Sequence, residues 1–343
     1  MLHRRLREIC KRCKAIRSLY FYIAQSRTNK RNKETDLSTQ IQINLFVASV
    51  TIGLQMVLFH IMQTWRSLLW KDLQLNYWHI LLINRPKKIA WVHTDFEKHH
   101  WTNVIFKNKQ NEEQTYSRYH QIVTVSVTVQ KAFIKAFPLV KSLVKIIYNP
   151  IDHEDIIKKG KQYEPLPSKS KIRLISIGRL TKVKAYSRLL HIALRLKQSG
   201  YAFELWILGD GEEREMLQHY ICKKQLEDCV TLWGFQTNPY AFMTQSDLFV
   251  CSSISEGYST AVTEALILGL PVVTTDCSGM NELLQGEKYG IITENSEATL
   301  FEGIKQLLDH PEQLSHYKEK VIKRGKEFTL EVLMKPIETL LTR

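Results

Sequence analysis

Residues 252–284 read SSISEGYSTAVTEALILGLPVVTTDCSGMNELL. Just before them, Asp247-Leu248-Phe249-Val250-Cys251 is an apolar run of strand length. From Val262 to Leu268 apolar residues recur at three- and four-residue spacing, the pattern of a packed helix. The order strand–loop–helix places Glu256 in the loop, Gly257, Ser259 and Thr260 at the helix start, and Glu264 two turns in. A helix start offers unpaired N–H groups and a positive dipole end, a combination suited to a phosphate. A carboxylate on either side of that point can accept hydrogen bonds from sugar hydroxyls, one set on each side of a diphosphate. Taken alone, the same spacing also fits a capped helix with two solvated glutamates, so the surrounding sequence has to decide.

Three further segments stand in order ahead of it. Ile175-Ser176-Ile177-Gly178-Arg179-Leu180 is an apolar strand ending in G-R-L, with Lys184 five residues past the arginine. Ile207-Leu208-Gly209-Asp210-Gly211-Glu212 is a second strand running into a G-D-G turn, and Val230-Thr231-Leu232-Trp233-Gly234-Phe235 a third ending in G-F. Arg179 and Lys184 follow a strand in an alternating β/α region, where open parallel sheets bind their ligands. Transfer of a sugar from a nucleotide diphosphate leaves negative charge on the departing group, which preorganised cations would stabilise. On a basic protein both residues could also be surface cations, a reading that suits Lys184 more than Arg179, which directly ends the apolar strand.

Together these motifs resemble the C-terminal half of the family 4 retaining glycosyltransferases, from about Lys171 to the end of the chain. The resemblance implies an α/β chain of GT-B fold, two Rossmann-like domains facing across a cleft. It also implies sugar transfer with retention from a nucleotide-diphosphate sugar, most simply a UDP-sugar, to a glycan or lipid-linked acceptor in bacterial cell-surface polysaccharide synthesis. In such an enzyme Glu264 would hold the ribose and Glu256 the sugar hydroxyls, while Arg179 and Lys184 stabilise the leaving diphosphate. Gly178, Gly209, Gly211, Phe235, Gly257, Tyr258, Ser259 and Thr260 would line the donor. No cofactor or metal is implied, since the cations and the helix start supply the charge. One departure from the family pattern is Ala185, where glycine usually follows the lysine; Lys182 is the alternative diphosphate contact.

Upstream, Lys88-Ile89-Ala90-Trp91-Val92 is a strand ending in His93-Thr94-Asp95, and Ile122 to Ser126 is another, followed by a helix from about Val129 to Phe137. Val144 to Tyr148 is a third strand, ending at Asn149-Pro150-Ile151-Asp152. This order resembles the later part of the family's N-terminal domain, with His93 where the family places a histidine facing the transferred sugar. The expected divisions are therefore a basic helical segment (1–34), an apolar segment (35–86), the remainder of an acceptor domain (87–150) and a nucleotide-sugar-binding domain (151–343).

The first 86 residues do not fit the family. The opening strand and glycine-rich turn are missing, and the first glycine is Gly53. Residues 37–64 form an apolar run interrupted by Gln40, Gln42, Asn44, Gln55 and His60, from which 41–62 could form a membrane span. A different origin fits better. Codons compatible with Met62 to His79, read one base earlier, allow a segment resembling the E-G-x-x-T-K stretch that precedes the family's W-x-H-T-D strand. The expectation is that roughly 35–83 are read out of frame and that Met1 is an internal start in a disrupted gene. The chain would then be a truncated transferase or an inactive nucleotide-sugar-binding remnant, and a membrane-anchored protein is the third reading.

At 343 residues, with 44% hydrophobic and 24% charged residues, the chain has apolar content for two globular domains. A net charge of +14 implies an anionic partner. No aromatic-basic RNA signature, zinc spacing or recognition helix is present, so nucleic acid is not expected. The positive charge gathers at Arg4, Arg5, Arg7, Lys11, Arg12, Lys14 and Arg17, which suits an anionic membrane surface. That points to a cytoplasmic protein, peripheral at the inner face of the cell membrane, without a signal peptide. Among six cysteines, Cys10 and Cys13 lack a second pair for zinc, while Cys222, Cys229, Cys251 and Cys277 read as reduced core residues in helices or strands.

Overall fold

Short β-branched runs bounded by turn residues become the strands. The computed structural model describes residues 88–342 apart from 99, 101, 103, 104, 107, 163 and 169. The basic N-terminal segment, the apolar run, the 41–62 span, the out-of-frame stretch and the Cys10/Cys13 pair all lie outside the described residues.

The earlier strands are β1 (Ile89–Val92), β2 (Gln121–Thr124) and β3 (Val144–Ile146), and they form one sheet in the order β1-β2-β3. The later ones are β4 (Ile172–Ile177), β5 (Phe203–Leu208), β6 (Val230–Gly234), β7 (Leu248–Cys251), β8 (Val272–Thr275) and β9 (Gly290–Thr293). They pair in parallel in the order β6-β5-β4-β7-β8-β9. Their near-continuous apolar sequences follow from burial on both faces, as a parallel sheet covered by crossover helices requires. Alternate residues serve opposite faces: Leu174, Leu205 and Ile207 join one core with the helices Tyr186–Gln198 and Glu297–Asp309. Ile175, Trp206 and Leu208 join the other core, with Val262, Ala265 and Leu266 of the helix Thr260–Ile267.

Packing divides the chain into two compact units. One holds residues 88–92, 101–124 and Phe137–Lys145; the other holds His93–His100, Val125–Ala136 and everything from Ile146 on. The α/β architecture with parallel sheets agrees with the sequence expectation.

Several local expectations change. The strand expected at Ile122–Ser126 begins at Gln121 and stops at Thr124, because Ser126 turns its hydroxyl to the Gly257 carbonyl and caps the next helix. That helix runs Val127–Ala136 rather than Val129–Phe137. Glu264 lies about one turn, not two, into its helix, since Thr260 is the first helical residue. Of the four later cysteines, Cys251 is a buried strand residue, but Cys229 and Cys277 are buried in turns and Cys222 is exposed. Among the described residues no helix is long and apolar enough to cross a membrane.

Candidate functional site

The strand order reverses between β4 and β7, the position at which an open parallel sheet leaves a crevice at its C-terminal ends. The G-R-L turn follows β4, the G-D-G turn follows β5, and residues 252–259 follow β7. Gly209 adopts φ +135, and a Cβ there would lie 1.9 Å from the Gly178 carbonyl oxygen, so these two turns touch backbone to backbone. The Gly209 N–H donates to the Gly234 carbonyl at 2.8 Å, bringing in the end of β6.

The loop after β7 is bound to the turn carrying Lys184. Ser252 Oγ donates to the Lys184 carbonyl at 2.8 Å, and the Ile254 N–H donates to the Val183 carbonyl at 2.8 Å. These bonds set Lys184 beside Glu256: Nζ donates to Oε1 at 2.6 Å. Ser253 Oγ donates to the same carboxylate oxygen, also at 2.6 Å. Burial works against the Lys184 charge, but the adjacent Glu256 carboxylate outweighs it, and the ammonium pKa stands above its ordinary value. A small polar hollow lies behind this pair, lined by Ser176, Lys184, Tyr186, Cys251, Ser253 and Ser259 among others.

Ser259 is the N-cap of the helix Thr260–Ile267, its hydroxyl accepting from the Val262 N–H at 3.3 Å. Thr260 is exposed at the first helical position. Glu264 is buried, and one of its oxygens accepts from the Tyr240 hydroxyl at 3.1 Å. Tyr258 stacks on Tyr148 with ring centroids 5.2 Å apart, and burial pushes its phenol pKa up, so it is no base near neutral pH.

Gly257 has a steric reason to be glycine: a Cβ would lie 1.8 Å from the His93 carbonyl oxygen. The segment after β1 is therefore seated on the loop that carries Glu256. Ser278 Oγ donates to Asp95 Oδ2 at 2.6 Å, and Asp95 Oδ1 accepts from the Glu97 N–H at 2.9 Å. His93 is exposed at the surface, while the protein around it desolvates its charged form. That desolvation lowers its pKa from 6.5 to about 4, so the imidazole is neutral at pH 7.

Of the residues singled out from sequence, the structure joins Lys184 to Glu256 directly, stacks Gly178 on Gly209, and sets Gly257 against His93. Gly211 lies against Leu180, where its Cβ would be 2.4 Å from the carbonyl oxygen. Arg179 is exposed, and its guanidinium has no hydrogen bond or ion pair among the described residues. Phe235 is 51% exposed. Sequence reasoning missed Tyr240 and Ser253, which hold the two glutamates. Tyr240 carries no signal in a single sequence, whereas Ser253 stands three residues before Glu256 in the same loop, within reach of a sequence reading. Among the described residues, no cluster of three or more His, Cys, Asp and Glu side chains is placed to hold a metal ion.

A parallel sheet of this order, with glycine-bearing turns at its switch point, is a Rossmann-like domain. The family Glycosyl transferases group 1 matches residues 157–326. An uncharacterised glycosyltransferase of Methanocaldococcus jannaschii, MJ1059, is 30% identical over 294 residues, spanning 75% of this chain and 72% of that protein. This chain belongs to the group 1 glycosyl transferases. It is also 34% identical over 197 residues to the Campylobacter jejuni N-acetylgalactosamine-N,N'-diacetylbacillosaminyl-diphospho-undecaprenol 4-alpha-N-acetylgalactosaminyltransferase, covering 57% of this chain. The match spans about half of that enzyme, 52%. Among solved structures, Anabaena HepE, crystallised with UDP and glucose, superimposes with a TM-score of 0.64 at 21% identity, over 75% of this chain and 72% of HepE. That likeness places the chain in the GT-B fold class.

Proposed function

We propose that this chain binds a nucleotide-diphosphate sugar, UDP-linked, at the C-terminal ends of β4 and β7, and transfers the sugar with retention to a glycan or lipid-linked acceptor in cell-surface polysaccharide synthesis. The observation that carries this reading is the Lys184–Glu256 pair, at 2.6 Å, beside a helix start capped by Ser259. A cation for the diphosphate, a carboxylate for the sugar hydroxyls and free N–H groups for a phosphate are thereby collected at the switch point of the sheet. Glu264, one turn into the helix, takes the ribose, and exposed Arg179 meets the charge that grows on the departing diphosphate. His93, neutral at pH 7, faces the transferred sugar. The lipid-linked acceptor draws support from the Campylobacter relative, whose name specifies a diphospho-undecaprenol acceptor, and the UDP donor from the UDP bound in HepE. The arginines and lysines of the first 33 residues would hold the chain at an anionic membrane surface.

The test is a thermal-shift screen of the purified full-length chain against nucleoside diphosphates and their sugars, followed by release of UDP from the best donor. Stabilisation by UDP and by one UDP-sugar, with turnover, is expected. Binding without turnover would mark a nucleotide-sugar-binding remnant, and no stabilisation by any nucleotide would overturn the reading.

A further inference from the structure

Glu256 Oε1 has two close partners of different character, with the Cys251 thiol a weaker and more distant third at 4.0 Å. Lys184 ends a four-carbon stem that can turn elsewhere, whereas Ser253 is 2% exposed and has a hydroxyl only one bond from its Cβ. The Ser253 backbone is tied down independently of any ligand. Its carbonyl accepts from Thr275 Oγ1 at 2.6 Å and from Cys277 Sγ at 3.1 Å, and Asn295 Nδ2 approaches at 3.5 Å. Those donors come from the end of β8, the turn after it and the turn after β9, so three separate segments fix one serine.

In the free protein Lys184 is engaged by Glu256. A diphosphate arriving at the helix start competes for the same ammonium, because phosphate oxygens carry more negative charge than a carboxylate. As Lys184 turns toward the phosphates, Glu256 loses its counter-ion at the moment when its carboxylate has to be aimed at the sugar. An unheld carboxylate would swing away from the incoming negative charge. The Ser253 hydroxyl, 2.6 Å away and unable to follow the diphosphate, is the close group that stays, since the Cys251 thiol is a weak donor at 4.0 Å.

We propose that Ser253 is a positioning residue for sugar recognition: it holds the Glu256 carboxylate in place when Lys184 transfers its contact from Glu256 to the donor diphosphate. This rests on the function proposed above and adds a prediction that separates UDP from UDP-sugar. UDP has no hexose, so its binding does not need Glu256 aimed; a UDP-sugar does. Loss of one hydrogen bond to a charged group is worth roughly tenfold in affinity or somewhat more.

The experiment is titration calorimetry of the full-length chain with UDP and with the UDP-sugar that the wild type binds best, for wild type, Ser253→Ala and Ser253→Thr. Ser253→Ala is expected to bind UDP within about twofold of wild type and the UDP-sugar about tenfold more weakly, with Ser253→Thr recovering much of the loss by restoring the hydroxyl. Equal weakening for UDP and UDP-sugar would show a structural role and overturn the proposal, as would Ser253→Ala binding the UDP-sugar like wild type. A wild-type protein that binds no UDP refutes the underlying function instead, and that result is visible before any variant is measured.

Discussion

Replacing Ala185 by glycine should stabilise the protein while leaving Lys184 where it is. Ala185 links the short 3-10 turn Lys182–Lys184 to the helix Tyr186–Gln198, with φ 51 and ψ 44, in the left-handed region. An L-residue with a Cβ costs about 1–2 kcal/mol there, and glycine escapes that cost. Against this, glycine gives the unfolded chain extra freedom, roughly 0.4–1 kcal/mol. As the residue preceding the helix, Ala185 also provides no side-chain cap, and glycine is the better N-cap of the two. The difference is a net gain of about 0.5–1 kcal/mol, or a rise in Tm on the order of 1–4 °C for a domain of this size. The N–H of residue 185 donates to the Lys182 carbonyl at 3.1 Å in either variant, so the turn geometry should persist. Calorimetric scans and urea titrations of wild type and Ala185→Gly would measure the shift. A lower or unchanged midpoint in the variant would refute the strain argument. Weaker UDP binding in the variant would show that the alanine holds Lys184 in a way the torsion angles do not reveal.

Glu264→Ala is expected to weaken binding of free UDP by about 1–3 kcal/mol, through loss of charged hydrogen bonds to the ribose; unchanged calorimetric affinity would remove Glu264 from that role. Arg179→Ala should leave stability intact, because the side chain is exposed, while kcat falls by at least about tenfold, equivalent to 1.4 kcal/mol on the barrier. A normal kcat in that variant would end its assignment to the leaving group. For His93, the unfolded chain takes up a proton near pH 6.5 that the folded chain refuses until about pH 4. Its contribution is therefore complete above pH 6.5 and is lost as pH falls through that window. His93→Gln should flatten the decline of the urea midpoint across this range, and an undiminished decline would show that other groups cause it.

The ends of the strands around Ile175, Ile207, Val230 and Leu248 could be read from sequence, because a strand buried on both faces is largely apolar and is bounded by residues that turn the chain, whereas Val272–Thr275 and Gly290–Thr293 were not singled out as strands. The glycine turns Gly178, Gly209 and Gly211 and the glutamates Glu256 and Glu264 were legible for a related reason: they are local motifs, spaced by a few residues along one strand–loop–helix unit. The alanine at position 185 was equally visible as a departure, but its left-handed torsion was not, since a sequence shows which residue is present and not the φ it is forced to adopt.

What tertiary structure alone decided are the partnerships between distant residues. Lys184 meets Glu256 across 72 residues of sequence, Tyr240 meets Glu264 across 24, and Ser278 meets Asp95 across 183. The fit of Gly257 under the His93 carbonyl is likewise set by how two segments pack. Hydrogen-bond geometry of this kind depends on tenths of an ångström, and those are fixed only when strands pair in a particular register and loops close over their ends. Periodicity and spacing along the chain determined which elements form and which residues are chemically equipped. Packing determined which of them touch, and so how each carboxylate and each cation is held.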